Sequence, residues 1–562
     1  MGWLFAGSLL VPALALAGAA KPAPEGPVAR VDGGMVRGAM QGTAAVFEGI
    51  PYAAPPVGAL RWREPQAVKA WKGVRDATQP GASCFQSAAG LDPFFKVLAG
   101  SYGATYTGEP GLNASQSSED CLYLNVWTPG WPVKKALPVM VWLHGGSNMV
   151  GSGTQASYAG ASLVAHGVIL VTINYRLGVM GFFAHPELVA ESAHHSASNY
   201  GILDQIAALK WVQRNIAQLG GDPGNVTVFG ESAGAVDSGM LMASPLTTGL
   251  FRRVISESGP PFGLGPMHTL AEVEKLGAAI GKAAPGAGAS DVDKLRKLPA
   301  GEVEKIAAGV LLTHPEFKGL DTRSTIVDGW VMPQTPAKIF AEGKMQKVDL
   351  LVGLNGREFS AFRMAAAAAA KQSGAKTSAT DSLRALAEAA RPLYGGWTDA
   401  AVAYAVIEML VHKEAGVDKA ANEMLAGCPI GAMGTLVTAA GRHSYIYQFD
   451  RAIPGQGASV LGAFHSLEIP FVFNTFGDRA WNWLPFTAAD HRLSEAIETY
   501  WTNFAKTGNP NGAGLPNWPA WNNGNEPYME FSPGATAGAK KGFSPHFCDL
   551  APERVKQLLS AN

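Results

Sequence analysis

The chain has 562 residues, of which 47% are hydrophobic and 16% are charged, and its formal net charge at pH 7 is −1. Together with 67 Gly and 37 Pro, this composition is typical of a globular protein with many turns and excludes a disordered chain or a coiled coil. The sequence has no basic stretch with interleaved aromatic residues, which argues against nucleic acid as a partner.

The first twenty residues, MGWLFAGSLLVPALALAGAA, are apolar and end in small residues. This pattern predicts a secretory signal peptide over residues 1–20, cleaved near Ala19 or Ala20, so we expect an exported protein, either periplasmic or secreted. An uncleaved anchor is the alternative, but the apolar run is shorter than the roughly 20 residues plus flanks of a spanning helix. No later segment is apolar for long enough, and we expect no stable membrane insertion.

Short apolar runs rich in β-branched residues alternate with helical patterns along the rest of the chain. The predicted strands are 137–143, 167–175, 225–229, 253–256, 348–354 and 445–449. They are almost continuously apolar, as expected for strands that are buried on both faces of a sheet. Between the second and the third strand, residues 201–221 show helical spacing and end at Gly220 and Gly221.

Strands that alternate with helices predict an α/β fold, with a large, mostly parallel twisted central sheet and helices on both faces. No Pro/Gly/Ser-rich linker is long enough to separate two domains. We therefore predict a single domain over residues 21–562, although the length alone would suggest two or three. An alanine-rich stretch that follows Met364 is predicted to be an exposed helical excursion.

The predicted strand 225–229 runs directly into the sequence GESAG at residues 230–234. A G-x-S-x-G pattern between a strand and a helix is typical of a strained turn that exposes a nucleophilic serine, here Ser232. The small residues on either side would let the strand and the helix approach closely. The pattern alone is weakly specific, because Ser232 could equally be a small residue in a glycine-rich loop.

A serine hydroxyl is a weak nucleophile, and it needs a base that a carboxylate orients. In this class of fold the chain order is serine, acid, histidine, so both partners should lie downstream of Ser232. His465 is the best candidate base, because in GAFHSLEIPFVF a strand-like run gives way to a loop. The histidines without such a setting are His268, His314, His443 and His546.

The acid should lie between Ser232 and His465. Glu358 follows the predicted strand 348–354, and ligand-facing residues of open α/β sheets lie just beyond the ends of such strands. The residues alone do not separate Glu358 from its competitors, which are Asp328, Asp349 and Asp450.

Upstream of the serine, the sequence VWLHGGSN places an HGG turn, residues 144–146, directly after the strand 137–143. A glycine turn in this position can supply backbone N–H donors to an oxyanion. It could also be a plain turn that ends a strand.

Several stretches, in the right order, resemble the type-B carboxylesterase family, which includes the cholinesterases and has the α/β-hydrolase fold. They are EDCLYLNVWTP (119–129), HGG (144–146), the run from NYGILDQ to GESAG (199–234), GLNGREF (353–359) and HSLEIPFVF (465–473). The resemblance extends from about residue 28 to the C-terminus. It implies a serine carboxylic-ester hydrolase that acts through an acyl-enzyme intermediate, without a cofactor, on a small-molecule ester.

Transferred residue by residue, the resemblance implies a catalytic triad of Ser232, His465 and Glu358. The implied oxyanion hole consists of the backbone N–H groups of Gly146, Ser147 and Ala233. Glu231 is implied to line the active-site gorge, and Ser258 is implied to support the acid.

The chain has four cysteines, an even number that favours disulfide bonds in an exported protein. Three pairings are possible from the count alone. We favour Cys84 with Cys121 and Cys428 with Cys548, and the resemblance implies the same pairs. None of them has zinc-type spacing, and no carboxylate or cysteine at ligand spacing completes a site around His194–His195, so we predict no metal.

The chain departs from the family pattern at three positions. Ser147 replaces a glycine or alanine, Asn148 stands where an aromatic residue is common, and Phe359 follows the acid where glycine is frequent. The first two affect the shape of the acyl pocket and the third the packing around the acid. Two alternatives stay open: a non-catalytic binding or adhesion protein on the same scaffold, and a lipase or an esterase for bulky esters. We make no prediction of the oligomeric state.

Overall fold

The computed structural model describes residues 26–543 and Cys548, apart from residues 88–89, 110–111, 113–116, 263–266, 287, 375–380, 382, 385, 389–397, 413 and 478–480. The predicted signal peptide and His546 lie outside the described residues.

The strands in this part of the chain are β1 (Val28–Val31), β2 (Gly34–Arg37), β3 (Ala39–Gln41), β4 (Ala44–Pro51), β5 (Val74–Asp76), β6 (Tyr123–Thr128), β7 (Leu137–Leu143), β8 (Ile169–Ile173), β9 (Gly221–Glu231), β10 (Arg253–Glu257), β11 (Asp349–Asn355), β12 (Ser444–Phe449), β13 (Tyr528–Phe531) and β14 (Ala537–Lys540). The α-helices are Asp92–Ser101, Ala161–Ala165, Gly178–Gly181, Pro186–Glu191, Tyr200–Asn215, Ala233–Ala243, Leu270–Ala283, Asp291–Lys297, Ala300–Thr313, Pro336–Ala341, Ser360–Gln372, Thr398–His412, Glu414–Ala421, Cys428–Ala439, Ala458–Leu461, Ile469–Phe473 and Ala488–Thr507.

One large sheet has the strand order β14-β13-β12-β11-β10-β9-β7-β8-β6-β4-β3. From β13 across to β8 all neighbouring strands are parallel. The outer strands β14, β6, β4 and β3 pair antiparallel with their neighbours. A separate small sheet contains β1, β2 and β5. The predicted large, mostly parallel sheet is therefore confirmed.

Both faces of the large sheet are buried. On β7, Val141 packs into one hydrophobic core and the next residue, Trp142, packs into the core on the opposite face. This alternation follows from the two-residue period of a strand. The helix Tyr200–Asn215 contributes to the first core and the helix Ala488–Thr507 to the second. The continuous apolar runs in the sequence correspond to this double burial.

Each predicted strand is present, as β7 to β12. The predicted helix after the second strand is Tyr200–Asn215, which continues as a 3₁₀ turn to Leu219 and ends at Gly220 with φ 86°. A left-handed φ favours glycine, which explains the end of the helix. The stretch before His465 is not a strand: Phe464 forms only an isolated bridge with Arg357.

Two disulfide bonds join Cys84 to Cys121 and Cys428 to Cys548. These are the pairs expected from the sequence. The first closes a loop that contains the helix Asp92–Ser101. Among the helices of the described residues, none is both long and apolar enough to cross a membrane.

The carboxyl ends of the parallel strands meet at one edge of the sheet. The turn that begins at His144 follows β7, Ser232 follows β9, Ser258 follows β10 and Glu358 lies three residues beyond β11. In open α/β sheets ligands bind at this edge, because the loops that leave neighbouring strands converge there. The fold thus places the predicted site residues in one region.

Candidate active site

Ser232 lies at the sharp turn between β9 and the helix Ala233–Ala243, with φ 55° and ψ −121°. This backbone conformation is strained for a residue with a side chain. The glycines on either side permit it. A Cβ atom on Gly230 would lie 2.6 Å from the carbonyl of Gly234, and one on Gly234 would lie 2.0 Å from the carbonyl oxygen of Leu143. Only glycine fits at both positions, which accounts for the G-x-S-x-G pattern.

Backbone contacts hold the strained turn in place. The N–H of Ser232 donates to the carbonyl of Glu257 at 2.9 Å, and the N–H of Val236 donates to the carbonyl of Ser232 at 3.0 Å. Gly259 packs so closely that an added Cβ would lie 2.3 Å from the Ser232 carbonyl oxygen. The side-chain oxygen of Ser232 has no hydrogen-bond partner among the described residues.

The turn after β7 lies beside Ser232. A Cβ on Gly145 would be 3.2 Å from the Cβ of Ser232. Three consecutive residues of the turn have positive φ, which is 109° for Gly146, 58° for Ser147 and 55° for Asn148. In the part of the chain that is described, no acceptor bonds the N–H groups of Gly146, Ser147 or Ala233. These groups are therefore available as donors to an oxyanion.

His465 and Glu358 are joined directly. Nδ1 of His465 lies 2.5 Å from Oε2 of Glu358, and both residues are buried. The other oxygen, Oε1 of Glu358, accepts a hydrogen bond from the N–H of Asn355 at 2.6 Å. The carboxylate is therefore fixed by its own turn at the end of β11. A carboxylate on Nδ1 leaves Nε2 as the nitrogen that can exchange a proton with a substrate or a nucleophile.

Two hydrogen bonds between residues that are distant in sequence hold the loop of His465 next to Glu358. The N–H of Arg357 donates to the carbonyl of Ala463 at 2.9 Å. The side-chain amide of Asn355 donates to the carbonyl of Phe464 at 2.8 Å. Asn355 thus fixes both the acid and the loop that bears the base.

Glu231, the last residue of β9, faces the other side of the imidazole. Its Oε1 lies 3.1 Å from Nε2 of His465 and accepts a hydrogen bond from the hydroxyl of Ser466 at 2.6 Å. Gly145 packs against the same carboxylate, since an added Cβ would lie 2.7 Å from its Oε2. Glu231 thus contacts the predicted base rather than only lining a gorge.

Ser258 does not contact Glu358. Its hydroxyl donates instead to Oε1 of Glu468 at 3.3 Å. Both oxygens of Glu358 already have partners, which are His465 and the backbone of Asn355. Glu468 is buried and also accepts a hydrogen bond from the side-chain amide of Asn355, so the contacts of Ser258 lead to the predicted acid through Glu468 and Asn355. The implied support of the acid by Ser258 stays a prediction.

The buried carboxylates change the pKa values of one another and of His465. Burial by itself disfavours the imidazolium of His465, but Glu231, Glu358 and Glu468 outweigh it and raise the pKa of His465 to about 10. Burial raises the pKa of Glu231 and, well above its usual range, that of Glu468. It also raises the pKa of Glu257 to about 8. The site therefore retains protons that isolated carboxyls would release.

An aromatic wall borders the base. The ring of Phe362 lies 5.1 Å from the His465 ring, and Phe94 lies 5.5 Å from Phe362. Phe362 is 44% exposed, although its ring is large and apolar. Phe359, the departure next to the acid, is 6.5 Å from Phe362. This wall, formed by Phe94, Phe359 and Phe362, offers apolar surface next to the predicted chemistry.

The competing acids lie in other settings. Asp349 pairs with Arg442, Asp328 accepts hydrogen bonds from the backbone two and four residues after it, and Asp450 accepts one from the side chain of Gln448. Among the described residues, none of the three contacts His465. Of the four candidate acids, Glu358 is therefore the one that contacts the predicted base within the described part of the chain.

The described residues contain two clusters with metal-ligand spacing, His166–Glu495–Glu498 and His185–Glu187–Asp291. Neither contains a residue of the predicted triad. In the second cluster a lysine already pairs with a carboxylate, since Nζ of Lys294 lies 2.6 Å from Oδ1 of Asp291. His194, considered above for metal binding, belongs to neither and stacks on Trp330 at 3.7 Å between ring centroids.

A sequence profile of the carboxylesterase family matches residues 25–550. The fumonisin B1 esterase of Sphingopyxis macrogoltabida is 34% identical over 527 residues, which are 92% of this chain and 88% of that protein. Liver carboxylesterase 1 of Oryctolagus cuniculus is 34% identical over 524 residues, 88% of this chain and 86% of that protein.

The solved structures that are similar to this chain are esterases, like the relatives found by sequence. A PNB esterase aligns with a TM-score of 0.75 at 31% identity and covers 95% of this chain and 99% of its own. The carboxylesterase EST55 of Geobacillus stearothermophilus aligns with a TM-score of 0.70 at 29% identity, covering 92% and 97%. The fold is that of the α/β-hydrolases. The chain belongs to the carboxylesterase family and is a carboxylic ester hydrolase.

Sequence reasoning missed several residues that the fold brings to this site, chiefly Glu468, Asn355 and Asp237. Glu468 lies three residues after His465 inside a stretch that resembles the family, so its position was a usable signal. Asp237 is a charged residue in the otherwise apolar helix AGAVDSGMLMA, and a charge in such a setting needs an explanation. Asn355 lies in GLNGREF, another stretch that resembles the family, three residues before Glu358, so its position was the same kind of signal.

Proposed function

We propose that the protein hydrolyses esters through an acyl-enzyme intermediate, with Ser232 as nucleophile, His465 as general base and Glu358 as the orienting acid. The hydrogen bond between His465 Nδ1 and Glu358, at the edge of the sheet where the strained turn presents Ser232, is the observation that carries the proposal. It fits a base whose tautomer and ring plane are fixed by a carboxylate.

In this mechanism Ser232 attacks the ester carbonyl while Nε2 of His465 takes the hydroxyl proton. The negative carbonyl oxygen is held by the N–H groups of Gly146, Ser147 and Ala233. The imidazolium then protonates the leaving alcohol, and an acyl group remains on Ser232. Water attacks this acyl-enzyme with His465 again as the base, and the acid product leaves.

A histidine that stays protonated cannot accept the proton of Ser232. We propose that Glu468 carries a proton in the active form, which reduces the negative charge around His465, while Glu231 stays ionised. The pKa of Glu468, which burial and the neighbouring carboxylates raise well above its usual range, supports this assignment. Glu358 then remains as the carboxylate that stabilises the transient imidazolium.

The test is a set of four variants, assayed on a soluble ester. Ser232→Ala and His465→Ala should each lose activity by on the order of 10⁴-fold or more, and the double variant should be little worse, because the members of a triad act as a unit. Glu358→Gln should retain more activity than either. If purified Ser232→Ala, free of contaminating esterase, kept more than about a tenth of the activity, the assignment would be withdrawn.

We propose that the substrate is a small-molecule ester with an apolar group that packs against Phe94 and Phe362. The exposure of Phe362 beside His465 supports this choice, since a large exposed apolar side chain at a site is typical of binding. A panel of esters that differ in acyl and alcohol size, read as kcat/KM, should show a preference for bulky apolar groups. That preference should weaken in Phe362→Ala, and a lipase would instead prefer emulsified triglycerides.

We also propose that residues 1–20 are removed on export and that residues 21–562 form one hydrolase domain. The two disulfide bonds support an oxidising location. N-terminal sequencing of the exported protein should begin near residue 20, and non-reducing peptide mapping should find both cysteine pairs. Four free thiols in exported protein would contradict the pairing, and limited proteolysis that released two stable folded fragments would contradict the single domain.

A further inference from the structure

The predicted oxyanion hole is assembled from two distant segments. Gly146 and Ser147 belong to the turn after β7, whereas Ala233 begins the helix that follows β9. Donors to an oxyanion must be placed to within about half an ångström of each other to work together. Some contact has to fix the turn relative to the helix.

One side chain of the turn reaches this helix. Asn148 is 7% exposed, and its Nδ2 donates to Oδ1 of Asp237 at 3.2 Å. Asp237 is fully buried and lies on the helix that begins at Ala233. This hydrogen bond connects the two segments that carry the predicted donors.

Asn148 is also the centre of the contacts that hold the turn. Its Oδ1 accepts from the hydroxyl of Tyr175 at 3.2 Å, and the same hydroxyl donates to the carbonyl of His144 at 2.7 Å. Its backbone carbonyl accepts from the N–H of Gly178 at 2.6 Å. Ser147 and Asn148 both have left-handed φ, a conformation that persists only where the surroundings impose it.

The buried carboxyl group of Asp237 is unfavourable for the stability of the fold. Its partners are two neutral amides, since Nε2 of Gln205 donates to Oδ2 at 2.5 Å and Asn148 donates to Oδ1. Burial raises the pKa of Asp237 to about 7, and these two amides offset that rise only in part. A carboxylate that is buried without a cation lowers stability, so its place on this helix calls for a function.

We propose that Asn148 and Asp237 are positioning residues that register the turn of Gly146 and Ser147 against Ala233, and so assemble the oxyanion hole. The inference rests on the proposed function. It also gives a role to Asn148, which departs from the aromatic residue common in the family: its side chain points inward to Asp237 rather than into the acyl pocket.

The exchange of the two side chains tests the pair. In the double variant Asn148→Asp/Asp237→Asn every donor keeps an acceptor. The side chain of Gln205 donates to the new amide at position 237, and that amide and the hydroxyl of Tyr175 both donate to the new carboxylate at position 148. In Asp237→Asn alone, the amides of residues 148 and 237 face each other, and one N–H donor loses its acceptor. In Asn148→Asp alone, two carboxyl groups face each other without an N–H donor between them.

We expect each single variant to lose about ten- to hundredfold in kcat with KM within about threefold, because displaced donors act on the transition state. The exchange should restore kcat to within about threefold of wild type, because it restores the hydrogen bond between the turn and the helix.

A trifluoromethyl ketone supplies a readout that a purely structural role would not move. It adds to the catalytic serine as a hemiketal whose oxyanion lies in the hole, so its inhibition constant should rise in the single variants in proportion to the fall in kcat/KM. Ser238→Ala is the matched control, since it removes a buried hydroxyl one residue from Asp237 that bonds only the carbonyl of Ala235. It should keep wild-type kinetics, and melting temperatures should be measured for all variants.

The outcomes separate this inference from the proposed function. Single variants that fold and have wild-type kcat and inhibition constants would overturn the positioning role, as would an exchange variant that folds and is no better than the weaker single variant. If Asn148→Asp does not fold, the isosteric Asp237→Asn variant alone decides by the same two measurements. Ser232→Ala is assayed in parallel, and an active Ser232→Ala would contradict the proposed function itself.

Discussion

The two halves of the candidate site are held by different forces. Ser232 and the turn from His144 to Asn148 follow β9 and β7, which are neighbours in the sheet, and backbone geometry fixes them. Strained φ values, close glycine contacts and N–H donors dominate this half. Glu358 and His465 are 107 residues apart in sequence, and side-chain hydrogen bonds and charges fix them.

The two halves of the site should therefore tolerate different kinds of substitution. In the backbone half, a single extra methyl group meets main-chain atoms that cannot move aside, so steric changes should be severe and pH should matter little. In the acid–base half, the side chains have charged partners, so isosteric changes of charge should alter the pH dependence more than the fold. The predictions below test this contrast.

Among the variants that test this contrast, the largest effect is expected at Ser147, where the backbone N–H is the predicted donor. Ser147→Pro removes that N–H and cannot adopt the φ of 58°. Loss of one such donor lowers kcat by about 10²–10³-fold, and displacement of the turn would add to the loss. Ser147→Gly keeps the N–H and suits the positive φ, so its kcat should stay within about tenfold of wild type.

Circular dichroism and thermal melting should accompany these kinetics, because proline could unfold the turn. A folded Ser147→Pro enzyme with wild-type kcat would show that the oxyanion does not rest on this residue. A change in substrate preference in Ser147→Gly, by contrast, would reflect only the shape of the acyl pocket.

A smaller but still severe effect is expected at Gly234. A Cβ there would lie 2.0 Å from the carbonyl oxygen of Leu143, so Ala can be accommodated only if β7 and the helix after Ser232 separate. A shift of about 1 Å at a catalytic group costs roughly 10²-fold in rate, and we expect at least that loss in kcat for Gly234→Ala. The matched control is Gly309→Ala, at an exposed helical position with no atom within 4 Å of the added methyl group.

Gly309→Ala should keep full activity and gain about 0.5–1 kcal/mol in the free energy of unfolding, because glycine loses more backbone entropy in a helix than alanine does. Equal activity of the two variants would contradict the steric explanation of the elbow. Chemical denaturation and kcat on one ester substrate measure both quantities.

The smallest change is expected in the acid–base half. Glu231 contributes to the raised pKa of His465, and in the proposed mechanism the imidazolium is the inactive form. The acid limb of the kcat/KM profile of the wild type should therefore lie above the ordinary histidine pKa. Glu231→Gln removes the charge but keeps an acceptor for Ser466. The pKa of His465 should then fall, and the acid limb of the kcat/KM profile should move to lower pH by about one unit.

The exposed Glu316→Gln variant removes a carboxylate that has no part in the site and should leave the profile unchanged. An upward shift of the limb in Glu231→Gln, or no shift, would show that Glu231 does not hold charge beside the base. Thermal melting should differ little between the two variants, since Glu231→Gln keeps the hydrogen bond with Ser466.

The sequence by itself determined the features that have a local physical signature. Continuous apolar runs identified the parallel strands β7 to β12, because double burial leaves no polar face to alternate. The glycines around Ser232 marked the elbow, because no other residue fits between β7 and the following helix. The outer strands β3, β13 and β14 were not predicted, since strands of three or four residues are too short to show a clear apolar pattern.

Only the tertiary structure decided which distant side chains meet. It brings Glu358 against His465, the hydroxyl of Ser258 to Glu468, and the side chain of Asn148 to Asp237. These contacts join residues that lie 89 to 210 positions apart in the chain. A periodic pattern extends over a few residues and carries no information about such pairs, whereas the order of strands in the sheet brings their carboxyl ends, and the loops that follow them, to one place.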